Sequence, residues 1–439
     1  MPTHPIALML VAVILTGDEP PSTQPAPLDP RVDPARITEI DPPPLPEQVV
    51  LPLPPDHHIA TDPARVPVAR ASFEAARTAI GRGAGALRRL QSAEGGWLVD
   101  SRVTPSSTDP LAPAPPSPVA VAVTALAVKT LVQADPAAAS SEDVRRALAF
   151  IDRARRADGA FEGGSMTNYV TSSVVSALSG LDELAFRDRV DDGVRWLQES
   201  QWDEGEGLRP EQDWYGGAGY GNRGRPDLSN TQMMLEAMYD AGLSPDEPAF
   251  QRALAFVSRA QNLRSTNAAS WAGTDGGFVY TPAGGGESFA SEHAGEGRYG
   301  ESPPAGVGRS LRSYGSMTYA GFKSLLYAGL SPDDVRVRAA FDWIRRHWTF
   351  DENPGLGRQG LYYYYHAMAR ALRVGQQTVI TDNDGTPHNW REELITAVTK
   401  RQGESGLWRN DADRWLEGEE AMATIFALLA LEEAIKPAR

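Results

Sequence analysis

Residues Gln91–Trp97 read QSAEGGW, and residues Gln402–Trp408 read QGESGLW. Glutamine, glycine and tryptophan hold one spacing, Gln-x3-Gly-x-Trp, near opposite ends of the chain. Softer copies lie between them. Arg155-x3-Gly159-x-Phe161 keeps the geometry, DGGF stands at Asp275–Phe278, and Gln201-x3-Gly205 runs on to Gly207. The pattern has a local physical sense. An amide at a helix end satisfies loose backbone groups of the following loop, glycine turns the chain, and an aromatic ring covers the helix end.

Each loop follows a stretch with helical apolar spacing: GALRRLQ (Gly85–Gln91), RALAFI (Arg146–Ile151), GVRWLQ (Gly193–Gln198), RALAFV (Arg252–Val257), RAAFDWI (Arg338–Ile344) and WREELITAVTKRQ (Trp390–Gln402). Second segments, rich in Ala, Leu, Met and Tyr, begin near Pro118, Asn168, Asn230, Gly315, Leu361 and Gly418. The joints between pairs repeat as well. AGLSPD occurs at Ala241–Asp246 and again at Ala328–Asp333. Gly242 and Gly329 are expected to close helices in the left-handed conformation. Ser244 and Ser331 are expected to cap the next helices, with Pro245 and Pro332 at the first position and Glu247 and Asp334 reaching back. So short a connection makes the helices antiparallel neighbours. The sum is six helix pairs.

These loops resemble the Q-W repeats of the squalene-cyclase and protein-prenyltransferase superfamily, from about Ser72 to the C-terminus. GLYYYYHAMARAL, Gly360–Leu372, is also similar to those repeats, especially those of exported bacterial members. The resemblance implies an all-α fold, an (α/α)6 toroid with the second helices as an inner ring around a central cavity and the first helices outside. The alternative is an open α-solenoid; six pairs favour closure.

The resemblance also says where chemistry belongs. Terpene cyclases of the superfamily protonate a double bond with Asp-x-Asp-Asp at the start of an inner helix, the middle aspartate being the acid. The matching stretch here is DLSNTQ, Asp227–Gln232. Asp227 matches the first aspartate, but Ser229 stands where the acid belongs, and Ser229 and Asn230 read equally well as helix caps. The prenyltransferase zinc site uses Asp, Cys and His, and the chain has no cysteine. That absence also excludes disulfides and thiol nucleophiles. No cofactor or metal is expected. TDNDG at Thr381–Gly385 puts Ile380 and Arg391 where an EF-hand loop needs ligands, so it reads as a turn.

What remains is a cavity rim where six helix N-termini converge. Candidate ligand-binding residues there are Asn168, Tyr169, Asn230, Tyr314, Trp415 and Glu419. Candidate catalytic residues are Asp227 and the i, i+4 pair Tyr362 and His366. Three functions stay open: a toroid binding a terpenoid or glycan ligand in its cavity with the usual motifs absent, a divergent cyclase using Asp227, and a glycan lyase or hydrolase. The Gly-rich stretch within 262–313 is expected to be either a lid or disordered.

The net charge of −15 argues against a nucleic-acid partner. The apolar run Ile6–Leu15 is too short to span a bilayer but suits a signal peptide ending at about residue 17, so export to the periplasm or cell envelope is expected, with the N-terminus near the membrane. Residues 18–68 hold fifteen prolines and are expected to form an extended tether, His57 and His58 included, with the toroid spanning 69–439.

Overall fold

The computed structural model describes residues 37–41, 43, 57–98, 116–162, 164–181, 183–221, 224–290 and 310–438. The expected signal peptide and most of the expected tether lie outside them. Among the described residues are twelve α-helices: α1 (Arg70–Arg89), α2 (Pro118–Ala134), α3 (Glu142–Asp152), α4 (Thr167–Leu178), α5 (Glu183–Glu199), α6 (Leu228–Asp240), α7 (Pro248–Arg259), α8 (Gly315–Tyr327), α9 (Val335–Arg346), α10 (Leu361–Val374), α11 (Trp390–Lys400) and α12 (Glu420–Ile435). Even-numbered helices form the inner ring. Each packs on the next, and α12 returns to pack on α2 and α1, so the ring is closed. The sequence explains which helices go inside. PVAVAVTALAV in α2 and AMATIFALLAL in α12 are apolar nearly all round, as helices with neighbours on every side must be. The outer helices carry one apolar stripe: α3 buries Val144, Ala147, Phe150 and Ile151 and exposes the rest of its surface to a greater degree.

The Gln-Gly-Trp loops are the joints of this ring. Gln91 Nε2 donates to Gly95 O in its own loop and to Asp143 O at the start of the next outer helix, both at 2.8 Å. Gln201 Nε2 bridges Gly216 O and Ala249 O, each at 2.9 Å. Gln261 Nε2 bridges Gly276 O (2.9 Å) and Arg336 O (2.8 Å). Gln402 Nε2 bridges Gly406 O (2.9 Å) and Ala79 O (3.0 Å), tying the last unit to the first. Trp97 and Trp408 are buried, and their indole N–H groups donate to Leu87 O and Val398 O, both at 2.8 Å. In five units a threonine near the start of the inner helix accepts the loop's N–H: Thr124 from Trp97, Thr171 from Phe161, Thr231 from Ala218, Thr318 from Phe278 and Thr424 from Trp408.

Several expectations need correction. The partner of Gln201 is Gly216, not Gly205 or Gly207; the loop is fifteen residues long, so the short spacing was fortuitous. At the AGLSPD joints the glycines behave as expected. Gly242 and Gly329 have φ of 83° and 82°; Leu243 N donates to Met238 O and Leu330 N to Leu325 O, both at 3.1 Å, the bond that closes a Schellman end. The serines do not cap helices. Their carbonyls close a turn with the N–H of Glu247 and Asp334, and α7 and α9 start three residues later than their sequence suggests. The end of the expected tether belongs to the folded ring. Ile59, Ala60 and Val66 are buried, and Ile59 N and Ala60 N donate to Gln133 O (3.3 Å) and Ile435 O (3.0 Å) at the C-terminal ends of α2 and α12. These apolar side chains have a surface to cover, which a proline count does not reveal. Residues 37–41 are also attached: beside the third loop Thr38 N donates to the Asp213 carboxylate (Oδ1, 3.1 Å), and Asp213 N donates to Thr38 O at 3.0 Å. Of the Gly-rich insertion, residues 262–290 are packed around buried Trp271 and pinned by Asn262; 291–309 lie outside the described residues. TDNDG is the turn of a small hairpin, Val379–Thr381 paired with Pro387–Asn389.

Gly216 combines φ of 82° with a position where a Cβ would lie 1.8 Å from Arg252 O, whereas Gly207 (φ 76°) has open space. Gly216→Ala should therefore cost roughly 3 kcal/mol or more and Gly207→Ala only about 1 kcal/mol. Urea denaturation of the two variants checks the assignment; equal costs would contradict the joint described here.

Candidate functional site

The ring is closed along its axis by charge. Lys129 on α2 lies 2.9 Å from Asp240 and 3.5 Å from Glu236 on α6, passing Ser176 of α4 at 2.6 Å. Lys323 on α8 pairs with the other oxygen of Glu236. Arg370 on α10 binds Asp240, reaches Glu433 on α12 at 3.1 Å, and donates through Nε to Tyr327 Oη at 3.0 Å. Lys436 completes the layer at 2.6 Å from Glu433. All six inner helices contribute, and every one of these charged groups is buried. Against the desolvation of burial, Lys323 and Lys129 hold the Glu236 carboxyl, and Arg370 and Lys129 the Asp240 carboxyl, well below the usual range. The cations sit where six helix C-termini converge, so the partial negative charge of those ends adds to the stabilisation. His57 covers this mouth rather than standing in solvent. Burial pulls its pKa down to about 4, so it is neutral there.

The opposite rim holds the sequence candidates. Asp227 is the N-cap of α6: Oδ1 accepts the Asn230 N–H and Oδ2 the Asn230 side-chain amide, both at 2.8 Å. Ser229 and Asn230, expected as caps, are inside the first turn. Asn168 Nδ2 donates to Asn230 Oδ1 at 3.2 Å, and the Tyr280 hydroxyl also bonds Asp227. Burial pushes the Asp227 pKa up to about 6, yet its oxygens face donors, so the site favours the ionised form at neutral pH. Tyr220 joins this cluster through Tyr280 and Asn230, its ring 36 % exposed at the rim. Tyr314 is buried at the start of α8. Trp415 is half-buried with φ of 60°, its ring 4.2 Å from the Arg414 guanidinium, which also lies 4.9 Å from Phe289. Glu419 is exposed and makes no cap bond. The buried carboxylate in that loop is Glu417, which accepts Tyr363 N (2.8 Å) and Asn410 Nδ2 (2.7 Å) and is pushed up to about 7 by burial.

The expected pair Tyr362 and His366 is not assembled. Among the described residues no hydrogen bond or ring contact joins Tyr362 to His366: the Tyr362 hydroxyl lies 3.5 Å from Arg409 O and its ring packs against Tyr365. Tyr363 faces the axis instead: Gln232 Nε2 donates to its hydroxyl at 3.2 Å, passing in front of α8. Phe426 on α12 lies 5.5 Å from the Tyr363 ring and 6.0 Å from the His366 ring. A run of four tyrosines gives no helical phase, so the sequence could not tell Tyr362 from Tyr363. Burial holds His366 at a pKa of about 3, hence neutral. Tyr169 on α4 is half-buried and lies near Tyr363.

Two outcomes test these assignments. Lys129→Met removes one of the two cationic partners of each of two buried carboxylates and should cost roughly 3–5 kcal/mol, part of it recovered when Asp240→Asn is added, as a double-mutant cycle would measure. For Asp227 the folded pKa lies above the unfolded one, so its stabilising contribution is full below about pH 4 and is lost as pH rises through about 6. Asp227→Asn should remove that slope, up to about 3 kcal/mol, in Tm scans from pH 4 to 7.

Residues 62–279 match the family described as squalene-hopene cyclase C-terminal domain. No curated protein matches the chain. Among solved structures, a D-mannose isomerase aligns with a TM-score of 0.50 at 11 % identity, covering 83 % of this chain and 97 % of that one. A protein from Actinoplanes gives 0.43 at 18 % identity (82 % and 99 %), and a type II terpene cyclase from Scytonema gives 0.29 at 14 % identity (84 % and 99 %). At such identities the first supports the fold alone.

Proposed function

The chain belongs to the squalene-cyclase-like superfamily, and we propose that this member binds a hydroxylated, glycan-type ligand at the tyrosine-lined rim of its ring and does not cyclise terpenoids. The observation that carries this reading is the polar closure of the axis. Where a cyclase would need a dry hydrocarbon slot, Gln232 bonds Tyr363, and one turn deeper Lys129, Glu236 and Lys323 form ion pairs. Protonating an alkene makes a carbocation, and ammonium groups buried in the wall would repel it. The residue in the acid's place is Ser229, and Asp227 is engaged as a helix cap. The lyase alternative loses its Tyr362–His366 pair. We extend the proposal to export, supported by the apolar run Ile6–Leu15 and the proline-rich stretch after it.

Thermal shift against neutral manno-, cello-, laminari- and chito-oligosaccharides, with squalene and geranylgeraniol in parallel, tests the reading. A bound ligand at one hundred times its Kd adds about 2.7 kcal/mol of stability. The expected outcome is a rise in Tm with at least one saccharide and none with the prenyl compounds. A rise confined to the prenyl compounds, or a cyclic product from squalene, would overturn it.

A further inference from the structure

We propose that Tyr169, Gln232, Tyr363 and His366, which converge near the axis, line a blind axial subsite that takes one terminal, uncharged saccharide unit end-on; this rests on the glycan-binding reading above. The first support is closure. One turn below Gln232 and His366, the Lys129–Glu236–Lys323 bridge spans the ring. A further turn down, Asp240, Arg370 and Glu433 span it again. His57, with Ile59 and Ala60 bonded to Gln133 O and Ile435 O, covers the far mouth. A polymer chain therefore has no path through the ring, and only an end can reach this depth.

The second support is unused hydrogen-bonding capacity. Gln232 is 1 % exposed, and its Oε1 has no partner, while its Nε2 is committed to Tyr363. Leaving a buried amide oxygen unpaired costs about 1–3 kcal/mol unless a ligand or water meets it. The ring nitrogens of His366 and the hydroxyl of Tyr169 make no hydrogen bond among the described residues. An acceptor, a neutral imidazole and a phenol converging near the axis suit vicinal hydroxyl groups, each of which both donates and accepts. Phe426, flanked by Tyr363 and His366, offers an apolar wall for the C–H face of a pyranose.

The third support is electrostatic. The charges that face His366 are Glu236, Lys323, Lys129 and Glu433, and these are already paired with one another or with Arg370 and Lys436. A carboxylate or phosphate on the ligand would be desolvated with no free counter-charge, so uronic acids and sugar phosphates are excluded.

The test uses the full chain and the oligosaccharide series that raises Tm, titrated calorimetrically. The free monosaccharide should displace the hexasaccharide completely. Gln232→Leu should weaken monosaccharide and hexasaccharide by the same factor, about tenfold, with His366→Phe as a second variant should the first not fold. A hexasaccharide that the monosaccharide cannot displace, an acidic sugar preferred over its neutral parent, or unchanged binding in both variants overturns the subsite while leaving glycan binding intact. Absence of binding by every neutral saccharide overturns the underlying reading.

Discussion

The glutamine amide that bridges two backbone carbonyls is the contact on which this ring depends. In each of four units it takes one carbonyl from its own loop and one from the next outer helix, in the first turn for Asp143, Ala249 and Arg336 and in the middle of α1 for Ala79. The amide therefore sets both where the loop folds and how far the next unit is rotated. A hydrophobic contact would tolerate sliding, but a pair of bonds to fixed carbonyls does not. The loop glycines serve the same geometry. At Gly95 and Gly276 a Cβ would lie 2.5 Å and 2.3 Å from the carbonyl of a neighbouring outer helix, so the approach needs a residue without a side chain.

With the ring's geometry fixed, the interior follows from helix polarity. Six parallel inner helices bring six partial positive ends to one rim and six partial negative ends to the other. Lys129, Lys323, Arg370 and Lys436 occupy the negative end, and their carboxylate partners come from helices that are not always neighbours. Caps such as Asp227 and the inserted carboxylate of Glu417 occupy the positive end. The two ends of the axis thus have different chemistry before any ligand is considered. One is rigid and ionic, the other aromatic and hydrogen-bonding.

How much of this was legible in the chain differs by level. The twelve helices and their inner or outer placement could be read from repeated phrases, because local apolar spacing carries that information; the observed inner helices start within about two residues of their expected positions. The joints with long loops were not legible. Gln201 meets Gly216 and Gln261 meets Gly276 across fifteen residues, and a spacing pattern fails once the loop between its members can vary. The threonines that accept loop N–H groups sit among many small residues and gave no signal. The ionic floor was hidden for another reason. No inner helix supplies more than a few of its charges, α4 adds only the hydroxyl of Ser176, and pairs such as Lys129 with Asp240 are 111 residues apart. Of the rim, the polar and aromatic character was readable and the roles were not. Whether Tyr362 or Tyr363 faces the axis, and whether Glu417 or Glu419 is buried, depends on helix phase and on two consecutive left-handed residues, Trp415 and Leu416.

Gln402 reaching back to Ala79, with Trp408 packed against Gly83, has a mechanical meaning. Open repeat arrays have terminal units that fray first, and they lengthen or shorten without changing the stability of the rest. Here the first unit is the neighbour of the last, so the array has no terminus in the structural sense. Removing one pair would not yield a smaller version of the same object. It would leave an arc with two bare apolar flanks and a severed ionic core. The number six is thus a property of the closed curve, and melting must begin with a breach in it, not with erosion from an end.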